Sequence, residues 1–101
     1  MSANAFSRLP LKPELLTRLH AMGFAAMTPV QAETLPPLID GIDVIAQAST
    51  GSGKTAAYAL ACLQRLQPKS FHVQSIVLCP TRELAEQVAQ SVRDLAKNVA
   101  N

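Results

Sequence analysis

The residues of this chain best suited to chemistry lie together in one short stretch, residues 48–55. They are, in order, Ala48, Ser49, Thr50, Gly51, Ser52, Gly53, Lys54 and Thr55. This is the spacing of a Walker A phosphate-binding loop, with alanine where the first glycine usually stands. Glycine lets the backbone turn several N–H groups around a phosphate at close range. The lysine supplies a cation for the β- and γ-phosphates, and the final threonine supplies a hydroxyl for Mg²⁺.

The elements around this loop fit the same chemistry. Residues 43–47 are apolar and bounded by turn residues, which predicts a buried strand. A helix rich in alanine and leucine is predicted from Lys54 to Leu66, and the positive end of its dipole would face a bound anion. The alternative is a glycine-containing turn before an ordinary helix, with a solvated lysine. The order strand, loop, helix favours nucleotide binding.

The chain before the loop predicts a lead-in and a first helix. Residues 1–9 are mixed in character and are expected to be unstructured, apart from the single aromatic Phe6. A helix opens at Pro13, carries leucines at helical spacing and ends before Gly23. Proline suits the first helical turn, and glycine suits the position just past a helix end.

A second helix is predicted from its capping residues. Thr28 is a good N-cap, Pro29 a good first residue, and Gln31 stands at the capping-box position. The proline pair at residues 36–37 is expected to interrupt or kink this helix. Residues 40–41, Asp-Gly, are expected to end it.

The remaining residues predict a second strand and a last helix. Residues 75–79 form another short apolar run, which indicates a second buried strand. Thr81 then caps a helix running towards Asn98, with an apolar face formed by Leu84, Val88, Val92, Leu95 and Val99. Strands that alternate with helices indicate an α/β domain with a parallel sheet.

Composition limits the class of protein. The chain has 101 residues, 49% of them hydrophobic and 16% charged, which allows one small domain with a core and excludes a disordered chain. A net charge of +2 is too weak to indicate nucleic-acid binding by itself. Cys62 and Cys79 have no disulfide-scaffold or metal-ligand spacing, so we expect reduced core thiols without a disulfide partner. We expect no membrane partner and a cytoplasmic location, because no apolar run reaches the roughly 18 residues of a membrane span.

Three segments in order along the chain resemble the Q motif, motif I and motif Ia of DEAD-box RNA helicases. They are residues 23–31 (Gly-Phe-Ala-Ala-Met-Thr-Pro-Val-Gln), residues 48–55, and residues 80–85 (Pro-Thr-Arg-Glu-Leu-Ala). Some stretches particularly resemble a bacterial branch of this family that is activated by ribosomal RNA. The resemblance implies that residues 1–101 belong to the ATP-binding domain, with a RecA-like, P-loop NTPase fold of flanking helices on a parallel sheet. It also implies ATP and Mg²⁺ as cofactors, and RNA as partner, with ribosomal RNA and ribosome assembly as the context.

The resemblance also assigns roles to individual residues. Gln31 would make paired hydrogen bonds to the adenine edge, because an amide offers both a donor and an acceptor. Phe6 would stack on the base, with Phe24 and Thr28 completing the adenine pocket. The whole loop 48–55 would bind the phosphates, with Lys54 and Thr55 as catalytic residues and Thr55 as the metal ligand. The RNA backbone would contact Pro80, Thr81 and Arg82.

Each of these assignments has a structural alternative. Gln31 can be simply the capping-box partner of Thr28, although the two roles can coexist. Phe6 can be a tail residue or a small surface staple, and Phe24 a core residue. Residues 80–82 can be an ordinary helix N-cap beside an exposed arginine.

The sequence also lacks parts of the family pattern. No Asp-Glu-Ala-Asp or Ser-Ala-Thr segment occurs among the 101 residues. We therefore expect an N-terminal fragment of the domain that binds ATP without hydrolysing it. In the family sheet, residues 43–47 and 74–79 are not neighbours, so we expect no ladder between them and a poorly stable isolated chain. The alternatives are a non-enzymatic nucleotide- or RNA-binding remnant, or another P-loop NTPase, which competition by GTP would reveal.

Overall fold

The computed structural model describes residues 5–99. Within them, a 3₁₀ turn at Phe6–Arg8 precedes four α-helices, and the helices are α1 (Pro13–Ala21), α2 (Pro29–Ile39), α3 (Lys54–Arg65) and α4 (Arg82–Leu95). The four predicted helices are thus confirmed, with α4 ending earlier than expected. The expectations for residues 1–4 and 100–101 lie outside the described residues.

Helix α3 holds the core together. It packs against both α2 and α4, while α1 packs against α4 and the 3₁₀ turn. The largest fully buried side chains are the leucines Leu15, Leu19, Leu35 and Leu60. Two alanines of α3, Ala57 and Ala59, are buried beside them, which lets neighbouring helices approach closely. The core is therefore mainly aliphatic, with alanines among its buried residues.

Glycines end α1 and α2 in the same way. Gly23 and Gly41 both have φ near +80°, a region that glycine enters without strain. After α1, the Gly23 N–H donates to the His20 carbonyl oxygen at 3.1 Å, and the Phe24 N–H donates to the Leu19 carbonyl oxygen at 2.9 Å. These are the two bonds of a Schellman motif, and residues 41 and 42 repeat them after α2.

The expected interruption of α2 at residues 36–37 is wrong. The helix continues through both prolines to Ile39. Proline costs a helix the bond of its missing N–H, so residues 36 and 37 donate nothing to the carbonyl oxygens of residues 32 and 33, but both prolines lie in the last turn and the bonds that close the helix are kept. The Pro36 and Pro37 carbonyl oxygens accept bonds from the residues that close the helix, Asp40 and Ile42.

The two predicted strands are not formed. Residues 43–47 and 75–79 have no strand pairing. Within residues 5–99, the β-type pairing is a single isolated antiparallel bridge between Ala5 and Ala26. Instead of being buried, Ile45 is fully exposed and Leu78 is 90% exposed. A strand needs hydrogen-bonding partners beside it, and no neighbouring segment here supplies them. The expectation that these two segments form no ladder with each other is confirmed.

The lead-in is more ordered than expected. Phe6 is only 3% exposed and begins the 3₁₀ turn, so a free tail residue is excluded. Further on, the Lys12 ammonium donates to the Leu66 carbonyl oxygen at 2.7 Å, at the C-terminal end of α3. Arg18 Nε donates to the Asp94 carbonyl oxygen at 2.5 Å, at the end of α4. Both cations thus lie at the negative ends of helix dipoles.

Two smaller expectations have mixed outcomes. Cys62 and Cys79 are free thiols, but both are only partly buried rather than core residues. Among residues 5–99, the helices are too short or too polar for any of them to cross a membrane.

Candidate nucleotide and RNA site

The loop at residues 48–55 has the backbone that its glycines predict. Gly51 and Gly53 have φ of 86° and 88°, and the Ser52 N–H donates to the Ser49 carbonyl oxygen at 3.3 Å, closing a turn. The Lys54 ammonium donates to the Ala48 carbonyl oxygen at 2.5 Å. This lysine therefore links the two ends of the loop from within.

The N-terminus of α3 opens directly out of this loop. Gly53 is its N-cap, and the first bond of the helix runs from the Ala57 N–H to the Gly53 carbonyl oxygen at 3.2 Å. The N–H groups of residues 54–56 come too early in the helix to find partners within it. Together with the positive end of the dipole, they suit an anion such as a phosphate.

Gln31 connects this loop to α2. Its Oε1 accepts the Thr28 N–H at 2.9 Å, and the Gln31 N–H donates to Thr28 Oγ1 at 3.4 Å, so the capping box is confirmed. Its Nε2 donates to the Gly53 carbonyl oxygen at 3.0 Å. The side chain is 5% exposed. One buried amide thus fixes the start of α2 to the start of α3.

Gly53 cannot be replaced without disturbing Gln31. A Cβ at position 53 would lie 3.2 Å from Thr28 Oγ1 and closer still to Gln31 Nε2. At Gly51, by contrast, a Cβ would meet nothing within 4 Å. Gly53 is therefore required both by its backbone conformation and by the close approach of Gln31.

Two open cavities meet at the loop and differ in charge. The first, of about 510 Å³, is lined by Thr50, Gly51, Lys54 and Thr55 together with residues of α2, α3 and α4. The second, of about 650 Å³, is lined by Thr28, Pro29, Ala48 and Ser52 among others. Lys54 is the charged residue of the first cavity, and Glu33 is that of the second. A polyphosphate is electrostatically favoured on the Lys54 side.

Thr55 lies on the wall of the first cavity beside Lys54, as a ligand for a phosphate-bound cation requires. Within residues 5–99, no three histidine, cysteine, aspartate or glutamate side chains gather as a metal cluster. This donor set fits a Mg²⁺ that is held mainly by phosphate oxygens and one hydroxyl, because Mg²⁺ commonly binds through its substrate's phosphates.

The aromatic pair Phe6 and Phe24 lines neither of these cavities. The two rings are in tilted contact, with centroids 6.4 Å apart. Phe24 is 41% exposed, so its expected role as a core residue is wrong, whereas Phe6 is the buried member of the pair. The Schellman turn at Gly23 places Phe24 in this position. The structure does not bring Phe6 together with Gln31 in one cavity.

The residues of the third segment lie exposed at the start of α4. Thr81 Oγ1 accepts the Leu84 N–H at 3.1 Å, so the expected N-cap is confirmed. Pro80, Thr81 and Arg82 are all exposed. The Thr81 hydroxyl still has its own hydrogen to donate, for example to a phosphate oxygen. Leu84 lines the Lys54 cavity, which brings the start of α4 close to the phosphate loop.

Sequence reasoning missed two features of this site. Leu84 is predicted on the apolar core face of α4, yet it is partly exposed and lines the cavity. Ser52 Oγ is buried and has no hydrogen-bond partner, which makes it unusual among the side chains of residues 5–99. No pattern in the sequence marks either feature, since both depend on how the loop folds against α2 and α4.

Comparison with known proteins agrees with this geometry. Residues 28–101 match the DEAD/DEAH box helicase family. The chain is 53% identical over 98 residues to the ATP-dependent RNA helicase DbpA of Escherichia coli, covering 96% of this chain and 21% of that protein. It therefore spans about a fifth of that relative's length.

Solved structures give the same result. The Saccharomyces cerevisiae protein Dbp5, solved bound to RNA and ADP BeF3, superposes with a TM-score of 0.91 and 39% identity, over 96% of this chain and 25% of that one. A DEAD box protein from Methanococcus jannaschii gives a TM-score of 0.91 and 33% identity, over 100% and 28% of the two chains. With its phosphate loop, its capping-box glutamine and its exposed motif at the start of α4, this chain belongs to the DEAD-box RNA helicases of the DEAD/DEAH box helicase family.

Proposed function

We propose that this chain forms the ATP-binding part of an RNA helicase that couples ATP binding and hydrolysis to RNA duplex remodelling. The observation that carries the proposal is the bond from Gln31 Nε2 to the Gly53 carbonyl oxygen at 3.0 Å. It joins the amide suited to reading adenine directly to the loop suited to holding phosphates.

Gln31 keeps enough hydrogen-bonding capacity for a base. Its Nε2 has two hydrogens and its Oε1 accepts two bonds, and the capping box and Gly53 use one of each. One donor and one acceptor remain, which is what the N7 and N6 atoms of adenine require. Phe24, Thr28 and Phe6 would complete the base pocket.

The phosphates are proposed to bind along residues 48–55 on the Lys54 side. Lys54 would exchange its bond with the Ala48 carbonyl oxygen for one with a phosphate oxygen, at no loss of hydrogen bonding. The first N–H groups of α3 would hold a second phosphate. Thr55 would hold Mg²⁺, which neutralises the developing charge on the phosphates when it is bound.

RNA is proposed to bind at residues 80–82 through its sugar–phosphate backbone. An exposed arginine and a threonine hydroxyl at a helix N-terminus suit phosphate contacts, which carry no base information. On the resemblance to the bacterial branch described above, we assign ribosomal RNA and ribosome assembly as the context, in the cytoplasm. Leu84 connects this segment to the Lys54 cavity.

The sheet of the domain is also a proposal. Residues 43–47 and 75–79 would become parallel strands beside further strands of the parent domain, covering the exposed Ile45 and Leu78. Because the Asp-Glu-Ala-Asp segment is not among the 101 residues, this chain alone would bind ATP and leave it intact.

Nucleotide competition tests the proposal. A fluorescent ADP analogue bound to the protein should be displaced by ATP and not by GTP. Gln31→Ala should lower the selectivity for ATP over GTP, whereas Gln87→Ala, an exposed glutamine of α4, should leave it unchanged. Equal displacement of the analogue by ATP and GTP from the unaltered protein would refute the adenine site and favour another class of P-loop NTPase.

A further inference from the structure

We propose that the loop at residues 67–74 is a second RNA contact, in which the Phe71 ring stacks on an unpaired base and Lys69 binds a neighbouring phosphate. The inference rests on the proposed function for its partner, since it assumes that RNA binds to this domain. It adds a base contact outside residues 80–82, which are proposed to bind the RNA backbone alone. The loop lies between α3 and the apolar run at residues 75–79.

A single side chain closes this loop. Gln74 Oε1 accepts the Gln67 N–H at 2.7 Å, and Gln74 Nε2 donates to the carbonyl oxygens of Gln67 at 2.9 Å and Ser70 at 3.2 Å. Within the loop, the Ser70 N–H donates to the Gln67 carbonyl oxygen at 3.0 Å. The amide of Gln74 therefore holds the two ends of the loop together, as a pair of strand bonds would. A loop that is ordered before binding loses less conformational entropy when a ligand binds.

The side chain of Phe71 extends from this loop into solvent. It is 87% exposed, whereas Phe24 is 41% and Phe6 only 3% exposed. Among the described residues, the contact between aromatic rings is that of Phe6 with Phe24, so the faces of the Phe71 ring remain open. A ring in water contributes no burial to the fold. It can instead stack on an RNA base of any type, because every base has a π-face.

The charges along this part of the chain favour a polyanionic partner. Residues 44–82 contain four lysine or arginine residues and neither aspartate nor glutamate. Lys69 is exposed and lies in the loop with Phe71, and the Lys12 ammonium lies beside the loop, 2.7 Å from the Leu66 carbonyl oxygen. Aromatic rings beside cations form the surfaces that bind single-stranded nucleic acid. A protein partner would not require a segment free of acidic residues, so RNA is favoured.

The loop is separate from the proposed nucleotide site. Helix α3 begins at the phosphate loop and ends at Arg65, just before residues 67–74, and its 12 residues span about 18 Å. Phe71 and Lys69 line neither of the cavities at the phosphate loop. Substitutions in the loop therefore test RNA binding without removing a group from the nucleotide site.

Fluorescence anisotropy of a short, fluorescein-labelled single-stranded RNA tests the stacking contact. Phe71→Ala should raise the Kd of this RNA about tenfold, as expected for the loss of one stacked base. Phe71→Leu keeps an apolar side chain without a ring and should raise the Kd similarly, whereas Phe71→Trp should bind within about twofold of the unaltered protein. Ile42→Ala removes an exposed apolar side chain outside the loop and should leave the Kd unchanged.

Lys69→Gln tests the phosphate contact. The Kd should rise, and the slope of log Kd against log salt concentration should fall by about 0.7, the contribution of one phosphate in a single strand. Phe71→Ala should leave this slope unchanged, since stacking on a base neutralises no phosphate. Both variants should keep the urea-unfolding midpoint of the unaltered protein, because both side chains are exposed.

The contrary results separate this inference from the proposed function. If Phe71→Ala binds RNA as tightly as the unaltered protein while Arg82→Gln binds it more weakly, the loop contact is refuted and the proposed function stands. Phe71 would then be left for a protein partner. Unchanged RNA binding by Phe71→Leu would refute stacking, and a lower unfolding midpoint of Phe71→Ala would refute an open ring. If the unaltered protein binds no RNA, the proposed RNA function fails and this inference fails with it.

Discussion

Replacing Gly53 by alanine should destabilise the protein more than the same change at Gly51. The two glycines lie in one loop and have nearly the same φ, 88° and 86°. They differ in surroundings, because a Cβ at position 53 would collide with Gln31 whereas one at position 51 would meet open space. The pair therefore separates the cost of the backbone conformation from the cost of displacing Gln31.

The expected magnitudes follow from these contacts. A residue with a Cβ in the left-handed region costs about 1–2 kcal/mol, and Gly51→Ala should cost that alone. Gly53→Ala should cost the same amount plus the bonds that Gln31 loses when it moves away from Gly53 and Thr28. At about 1 kcal/mol for each of these two hydrogen bonds, the total is roughly 3–4 kcal/mol.

Urea unfolding followed by circular dichroism measures this difference, in the absence of nucleotide so that binding plays no part. A double-mutant cycle then tests its cause. When Gln31 is already alanine, the extra cost of Gly53→Ala over Gly51→Ala should fall to about 0.5 kcal/mol, because the side chain that approaches most closely is gone and the 3.2 Å contact with Thr28 Oγ1 is what remains.

Two outcomes would refute the reasoning. Equal destabilisation by the two glycine substitutions would mean that a Cβ at position 53 does not displace the Gln31 side chain. A difference that persists undiminished in the Gln31→Ala background would mean that something other than Gln31 is displaced.

Two further predictions concern the anchoring of the lead-in and the exposed segments. Lys12→Met should lower the free energy of unfolding by about 1–3 kcal/mol, because it removes the charged donor to the Leu66 carbonyl oxygen, whereas Lys69→Met on the surface should change it little. Urea titration of both variants checks this, and equal stabilities would contradict it. Ile45→Lys and Leu78→Lys should each alter stability by less than about 0.5 kcal/mol and reduce self-association in light scattering, because both side chains are exposed. A large loss of stability would show that these residues are buried.

Local signals in the sequence predicted the helices and their ends. Thr28 and Thr81 were predicted as N-caps and are N-caps in the structure, and Gly23 follows α1 as expected. Each of these signals acts over a few residues, through one side chain and one turn of backbone. The expected interruption of α2 at its two prolines was wrong because a rule for helix interiors was applied to the last turn of the helix.

The predicted strands are not formed within the described residues because a strand depends on distant partners. Residues 43–47 and 75–79 have the apolar composition of buried strands, and composition does not reveal whether a neighbour is present to pair with them. Parallel strands in particular pair only across long connections. The sequence therefore identifies which residues are suited to a sheet, while their pairing depends on which segments lie beside them.

The loop and the capping box were predicted from local spacing, but the bonds that connect distant segments were not. The spacing of residues 48–55 gave the loop, and the capping-box spacing gave the bond between Gln31 and Thr28. The bond from Gln31 to Gly53 spans 22 residues, and no local pattern encodes it. The same applies to Lys12, whose partner Leu66 lies 54 residues further on.

These two long-range bonds together fix α3 at both ends from a single upstream segment. Gln31 donates to the carbonyl oxygen of the N-cap, Gly53, and Lys12 donates to the Leu66 carbonyl oxygen just past the C-terminus. An α-helix of 12 residues is a rigid rod about 18 Å long, so the two attachments cannot adjust independently. A movement of α3 along its axis must therefore stretch one bond or the other. The phosphate loop at the start of α3 is thus held in place by residues 12–31 as well as by its own sequence.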